Sequence, residues 1–154
     1  MASPCFERDL ASLEDSKGMF QFPSKTGNLA GITVSRSGNI FVTDNQNARI
    51  YIFDSQRECK GFFGQKGKED DQLNYPRGLA MTRDGFLLVA NEYGVLVFDE
   101  SGTFITKFGK GELKAAWNVA THPFDGRIYV TDQHHHTVRV YSPDYQLQQV
   151  LISE

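Results

Sequence analysis

The stretch LAGITVSRSGNIFVTDNQNARIYIFDSQRECKGFFG, residues 29–64, decides how the chain folds. Apolar and polar residues alternate there in short runs, and each run ends at Gly, Asn, Asp or Ser. Successive side chains of a strand point to opposite faces, so a period of two bounded by turn residues predicts strands. Four are expected: Ile32–Val34, Asn39–Val42, Arg49–Phe53 and Lys60–Phe63. Gly38 in SRSGN stands where a hairpin turn needs positive φ, which glycine adopts without a steric penalty.

The unit recurs twice, as RGLAMTRDGFLLVANEYGVLVFDESGTFITKFG (77–109) and as WNVATHPFDGRIYVTDQHHHTVRVYSPDYQLQQVL (117–151). Ile32, Leu79 and Val119 correspond, at offsets of 47 and 40 residues. Gly38, Gly85 and Gly126 correspond, and six residues past each come Asp44, Asn91 and Asp132. Four-stranded units repeating every 40–45 residues or so are the signature of propeller blades. The expected fold is all-β: three four-stranded antiparallel blades at about 28–67, 75–111 and 115–151, after an N-terminal segment 1–27.

Three segments, YPRGLAMTRDGFLLVAN, NIFVTDNQNARIYIFD and RIYVTDQHHHTVRVYS, carry the pattern P-x-G-(I/L)-A, G-x-(I/L)-x-V-T-D and R-I-x-V-F-D. In this the chain resembles the NHL repeat family over roughly residues 18–151. FFGQKGKEDDQLNYPRG looks like that family's link between blades, and GMFQFP (18–23) like the tail of another. Arg49 and Arg139 read as counterparts at the start of strand three, with no match in blade two, which is two residues shorter between Asn91 and Phe98. Blade three has one extra residue in THPFDG, and PSKTGN interrupts the run from FQFP into blade one.

Propellers close with about four to eight blades, and proteins resembling this family usually have six. Three blades form an arc whose end faces need cover. Three arrangements provide it: further blades of a longer protein, a second copy completing a six-bladed ring, or residues 1–27 folded over one end.

Composition excludes some functions. Net charge is -3, which gives no bulk attraction to nucleic acid or anionic lipid. No run of about 18 apolar residues exists, so no membrane helix is expected. Cys5 and Cys59 are too few for a disulfide framework, and Cys59 reads as a passive packed thiol. With no signal-like N-terminus, the expected location is the cytoplasm. KGKEDD (66–71) lacks phosphate-loop spacing, and no nucleophile stands beside a plausible base.

Strands two and three of each blade are joined on the face that also carries the inter-blade links, here called the top face. It gathers Asn45, Gln46 and Asn47, then Tyr75 and Arg77, Glu92 and Tyr93, Trp117 and Asn118, and His134, His135 and His136. The histidine triplet invites a metal reading, but adjacent residues diverge and zinc needs three or four converging ligands. DQHHH matches DNQNA of blade one, so a polar loop tip is expected, with no metal and no cofactor. His122 lies in a turn on the opposite face. Asp44 and Asp132 read as turn-closing carboxylates.

Aromatic and arginine side chains at loop tips are the usual anchors of binding surfaces. The partner-binding candidates are Tyr75, Arg77, Tyr93, Trp117, Asn118, Asn45, Asn47, His134 and His135. The resemblance implies a non-catalytic module for protein or peptide partners, as in the recognition part of tripartite-motif ubiquitin ligases. It also permits single-stranded RNA, by base stacking and phosphate contact. More remotely, it permits a metal-dependent lyase of the kind found among amidating propeller enzymes.

Overall fold

The computed structural model describes residues 22–23 and 25–152. Blade one comprises β1 (Leu29–Val34), β2 (Ile40–Asp44), β3 (Arg49–Phe53) and β4 (Cys59–Phe63). Blade two comprises β5 (Leu79–Met81), β6 (Leu87–Asn91), β7 (Gly94–Phe98) and β8 (Phe104–Phe108). Blade three comprises β9 (Ala116–Thr121), β10 (Ile128–Asp132), β11 (Thr137–Tyr141) and β12 (Leu147–Ile152). Each is an antiparallel four-stranded sheet in sequence order. Of the GMFQFP segment only Phe22 and Pro23 fall among the described residues, and Cys5 lies outside them.

Local chemistry sets the hairpins. Gly38, Gly85 and Gly126 all have φ near +80°, the conformation their turns demand. Asn91 pairs directly with Gly94, so the β6–β7 loop shrinks to Glu92 and Tyr93, where blades one and three use four residues. That contraction is the two-residue shortening seen in the sequence.

The inner strands β1, β5 and β9 lie side by side, and apolar side chains fill the seams between blades. Each blade has a leading face toward the blade before it and a trailing face toward the blade after it. In the first seam Phe41, Ile50, Ile52 and Phe63 meet Leu79, Leu87, Val89, Leu96 and Phe98. In the second, Leu88, Val95, Val97 and Phe108 meet Val119, Ile128, Val130 and Tyr141. Each seam also holds one leucine from the link, Leu73 or Leu113. A Cβ on Gly31 would collide with the Arg77 carbonyl, and one on Gly78 with Asn118, so glycine sets how closely inner strands approach.

Two expectations need correction. Arg49 pairs with Asp44, whereas Arg139 pairs with Val130 in mid-strand, so Arg139 is the register counterpart of Tyr51 and not of Arg49. Counting from the aspartate hid this, because two further residues precede Arg139 inside β11. Cys59 is disulfide-bonded rather than a passive thiol. Cysteine usage therefore gives no argument for a reducing compartment. No helix among the described residues is long and apolar enough to cross a membrane.

Candidate partner-binding site

The top-face turns are built around one buried polar residue per blade. Asp44 accepts hydrogen bonds from the backbone N–H groups of Gly27 and Asn47 and from the Asn47 side chain. Asn91 accepts from the Asn74 N–H. Asp132 accepts from the N–H groups of Lys114, Ala115, His134 and His135, and its Oδ2 lies 2.6 Å from His135 Nδ1. Burial alone would raise the Asp132 pKa, but its hydrogen bonds from His135, Lys114 and Ala115 outweigh that and bring it to about 2. A buried carboxylate ringed by N–H donors fastens the incoming link to the β10–β11 turn.

The histidine triplet divides its roles. His135 stands where blade one has Asn47 and, like it, bonds the turn aspartate. His136 takes the left-handed position, φ +53°, matching Ala48 at +52°. His134 is exposed, with its ring edge-on to His135 at 5.1 Å. Among the described residues no three His, Cys, Asp or Glu side chains gather as a metal site. On the opposite face, His122 Nδ1 accepts from the N–H groups of Phe124 and Asp125, closing its own turn.

Two of the aromatic candidates, Trp117 and Tyr75, group around Arg77. Its guanidinium lies 4.6 Å from the Trp117 ring centre and 6.0 Å from that of Tyr75. Its Nη2 donates to Glu92 Oε2 at 3.0 Å and its Nη1 to the Ala116 carbonyl at 3.2 Å. Arg77 thus joins blade two to blade three, and its charge is answered by Glu92. Trp117 is not swallowed between blades: it remains 48% exposed, with Arg77 against its ring. Tyr75 and Tyr93 are half-exposed. Tyr75 has φ +50° immediately before Pro76, a conformation costly for a residue with a Cβ.

A cavity of about 380 Å³ lies among Asn28, Ala30, Asn45, Arg77, Gly78, Trp117 and Asn118. The structure therefore brings together Asn45, Arg77, Trp117 and Asn118, with Tyr75 beside Arg77. Asn45 also donates to the Pro76 carbonyl. Asn47, His134 and His135 do not line this cavity, and Asn47 and His135 serve their turn aspartates. Tyr93 sits half-exposed on the β6–β7 turn. Sequence reasoning missed Asn28, whose carbonyl receives the Asn45 N–H as Asn74 receives Glu92. The signal was its place just ahead of β1, one link upstream of the matched pattern.

No family model matches the chain. Similar curated proteins exist. Protein brain tumor from Drosophila melanogaster is 33% identical over 120 residues, 75% of this chain and 11% of that protein. The human E3 ubiquitin-protein ligase NHLRC1 is 33% identical over 99 residues, 63% of this chain and 25% of the ligase. The Caenorhabditis elegans RING finger protein nhl-1 is 32% identical over 80 residues, 47% of this chain and 8% of that protein. The chain thus spans a quarter or less of these relatives.

Among solved structures, virginiamycin B lyase from Staphylococcus aureus superposes with a TM-score of 0.71 at 12% identity, covering 86% of this chain and 44% of the lyase. U3-55K superposes at 0.70 and 17% identity, covering 85% and 41%. At such identities these two establish the fold alone. Blade spacing, three sheets and the relatives agree: the chain belongs to the NHL-repeat β-propellers, of which it spans three blades.

Proposed function

We propose that the chain is a non-catalytic interaction module that binds a protein or peptide through its top face. The observation that carries this is a half-exposed Trp117 lining a cavity whose one basic lining residue, Arg77, is paired with Glu92, with Tyr75 half-exposed beside Arg77 and Tyr93 half-exposed on the β6–β7 turn of the same face. Large aromatic surfaces on turns held by buried hydrogen bonds suit hot-spot recognition, because little order is lost on binding. A phosphate backbone wants free cations, and this cavity presents none. Similarity to an E3 ubiquitin-protein ligase supports a recognition role within such an enzyme. Self-association belongs to the same reading, since blades one and three both leave apolar end-face residues exposed.

The test pairs two measurements on the folded chain. Proteins captured by the wild type are compared with those captured by a Tyr93→Ala/Trp117→Ala double variant, and a labelled single-stranded RNA pool is titrated at low salt. Selective loss of captured proteins in the variant, with no saturable RNA binding, supports the protein-partner reading. Saturable RNA binding that weakens with salt replaces it by the RNA reading. Arg77→Glu is unsuited to this test, because it sets two carboxylates together and unpicks a seam.

A further inference from the structure

Register sets one row of residues across the leading face of each blade. In blade one the row is Ile32, Val42, Tyr51 and Phe62. In blade two it is Leu79, Val89, Leu96 and Lys107. In blade three it is Val119, Val130, Arg139 and Val150. Blades two and three each place one cation among apolar residues, where a charge is costly unless it is paired. The two blades meet that cost differently.

In blade two the cation is Lys107. Its side chain is only 9% exposed, and Asp70 Oδ1 lies 3.9 Å from its Nζ and 3.0 Å from that of Lys110. Burial pushes the Lys107 pKa down, and the Asp70 carboxylate opposes that shift. Asp70 belongs to the link ahead of blade two, in which ten positions separate Phe63 from Leu73. The length of that link brings a carboxylate to the cation.

In blade three the cation is Arg139, and Leu96 is its counterpart. The link ahead of this blade is shorter, with five positions from Phe108 to Leu113. Between them it has one carboxylate, Glu112, which accepts from the Tyr141 hydroxyl at 2.8 Å. Asp132, opposite Thr137 on the same face, is taken up by the N–H groups of Lys114, Ala115, His134 and His135 and by the His135 ring. Among the described residues no carboxylate forms an ion pair with Arg139. Its Nε is buried without an acceptor. So is the Oγ1 of Thr137 without any partner, two residues earlier on the same face of β11. Buried polar groups ordinarily have partners, so two orphans side by side mark a place where one arrives from outside.

We infer that Arg139 and Thr137 form a carboxylate-binding site between the outer strands of blades two and three, which takes an acidic side chain of a protein partner. Asp70 in blade two supplies the template for the chemistry that blade three lacks. A carboxylate matches the planar guanidinium with two oxygens, and as a pure acceptor it also takes the Thr137 hydroxyl. Arg139 faces blade two within the chain, so the site is independent of whatever precedes blade one or follows blade three. Neither Arg139 nor Thr137 lines the top-face cavity, so this contact is separate from the one proposed above.

The test is a titration of the isotope-labelled chain, followed by NMR at the Arg139 Nε–H signal and the Thr137 amide. The probes are a blocked tri-glutamate peptide, its tri-glutamine counterpart and inorganic phosphate. A saturable shift with tri-glutamate and none with tri-glutamine is expected. Read at the Thr137 amide, the dissociation constant should rise about tenfold or more in Arg139→Leu. That variant installs the residue blade two has at this position, so its thermal transition should be retained. Thr137→Val should weaken binding less. No shift with tri-glutamate, an equal shift with tri-glutamine, or tighter binding of phosphate than of tri-glutamate overturns the carboxylate site. A double-mutant cycle in which Arg139→Leu and Glu112→Gln are coupled in stability overturns it as well, because Glu112 is then the partner within the chain.

Discussion

The trailing faces of blades one and three occupy the same register and meet opposite surroundings. Ile50 and Val138 are counterparts, as are Thr43 and Thr131, and Phe63 and Leu151. In blade one all three are buried against blade two. In blade three they face outward. A blade's own strands fix which side chains share a face, and the neighbouring blade decides whether that face is core. Burial in this fold is a property of pairs of blades, as in other repeat architectures.

Single substitutions can break that comparison. Ile50→Asp places an unpaired carboxylate inside a seam and is expected to cost about 4 kcal/mol or more, enough to abolish folding of a marginal chain. Leu151→Asp, on the outward counterpart face, is expected to stay within about 1 kcal/mol for the monomer in denaturant titration. Equal losses at both positions would mean that the trailing face of blade three is covered within a single chain.

The turn residues sharpen the contrast next. Asp132→Ala leaves the N–H groups of Lys114, Ala115 and His134 without their acceptor and is expected to cost about 2–3 kcal/mol. Acid is a gentler probe. The folded-state pKa of Asp132 is about 2, below the roughly 3.9 of an unfolded aspartate, so its contribution is fully present above about pH 4 and is lost as pH falls toward 2. Blade two has Asn91 at this position, which does not titrate. Asp132→Asn should flatten that part of the acid-unfolding curve, followed by circular dichroism.

Smaller effects follow. Thr43→Val removes hydrogen bonds to both Gly31 and Arg77 and is expected to cost about 1–2 kcal/mol, whereas Thr131→Val should change the monomer by no more than about 0.5 kcal/mol. Tyr75→Gly is expected to alter stability least, within about 0.5 kcal/mol. Relief of the positive φ offsets the added freedom of the unfolded chain. Partner capture should fall all the same. A clear gain in stability with weaker capture would identify Tyr75 as a residue held in strain for binding.

The site was less legible than the blades. Tyr75, Arg77 and Trp117 could be named from the sequence as top-face residues, because strand direction places the links and the β2–β3 loops on one side. That Arg77 is engaged could not be read. Its partners are Glu92, the Ala116 carbonyl and the Trp117 ring, and the last two lie about forty residues away in another blade. The misplacement of Arg139 has a related cause: hydrogen-bonded register, not distance from a motif, decides equivalence. The triplet His134–His136 was readable as a turn, since DNQNA supplied a template within the chain. The exchange of Asn47 for His135 at the turn aspartate appeared only with the distances.

By itself the sequence determined three four-stranded blades, the glycine hairpins that join their strands, and matching turn residues Asp44, Asn91 and Asp132 in the three blades. Those features arise from alternation and turn chemistry within a few residues. The tertiary structure alone decided that Arg77 is a tie between blades, that Thr43 spans a seam, and that Thr131 and Leu151 of blade three are exposed where their blade-one counterparts are buried. Such contacts join residues more than thirty positions apart, and their worth depends on the burial that a second sheet provides.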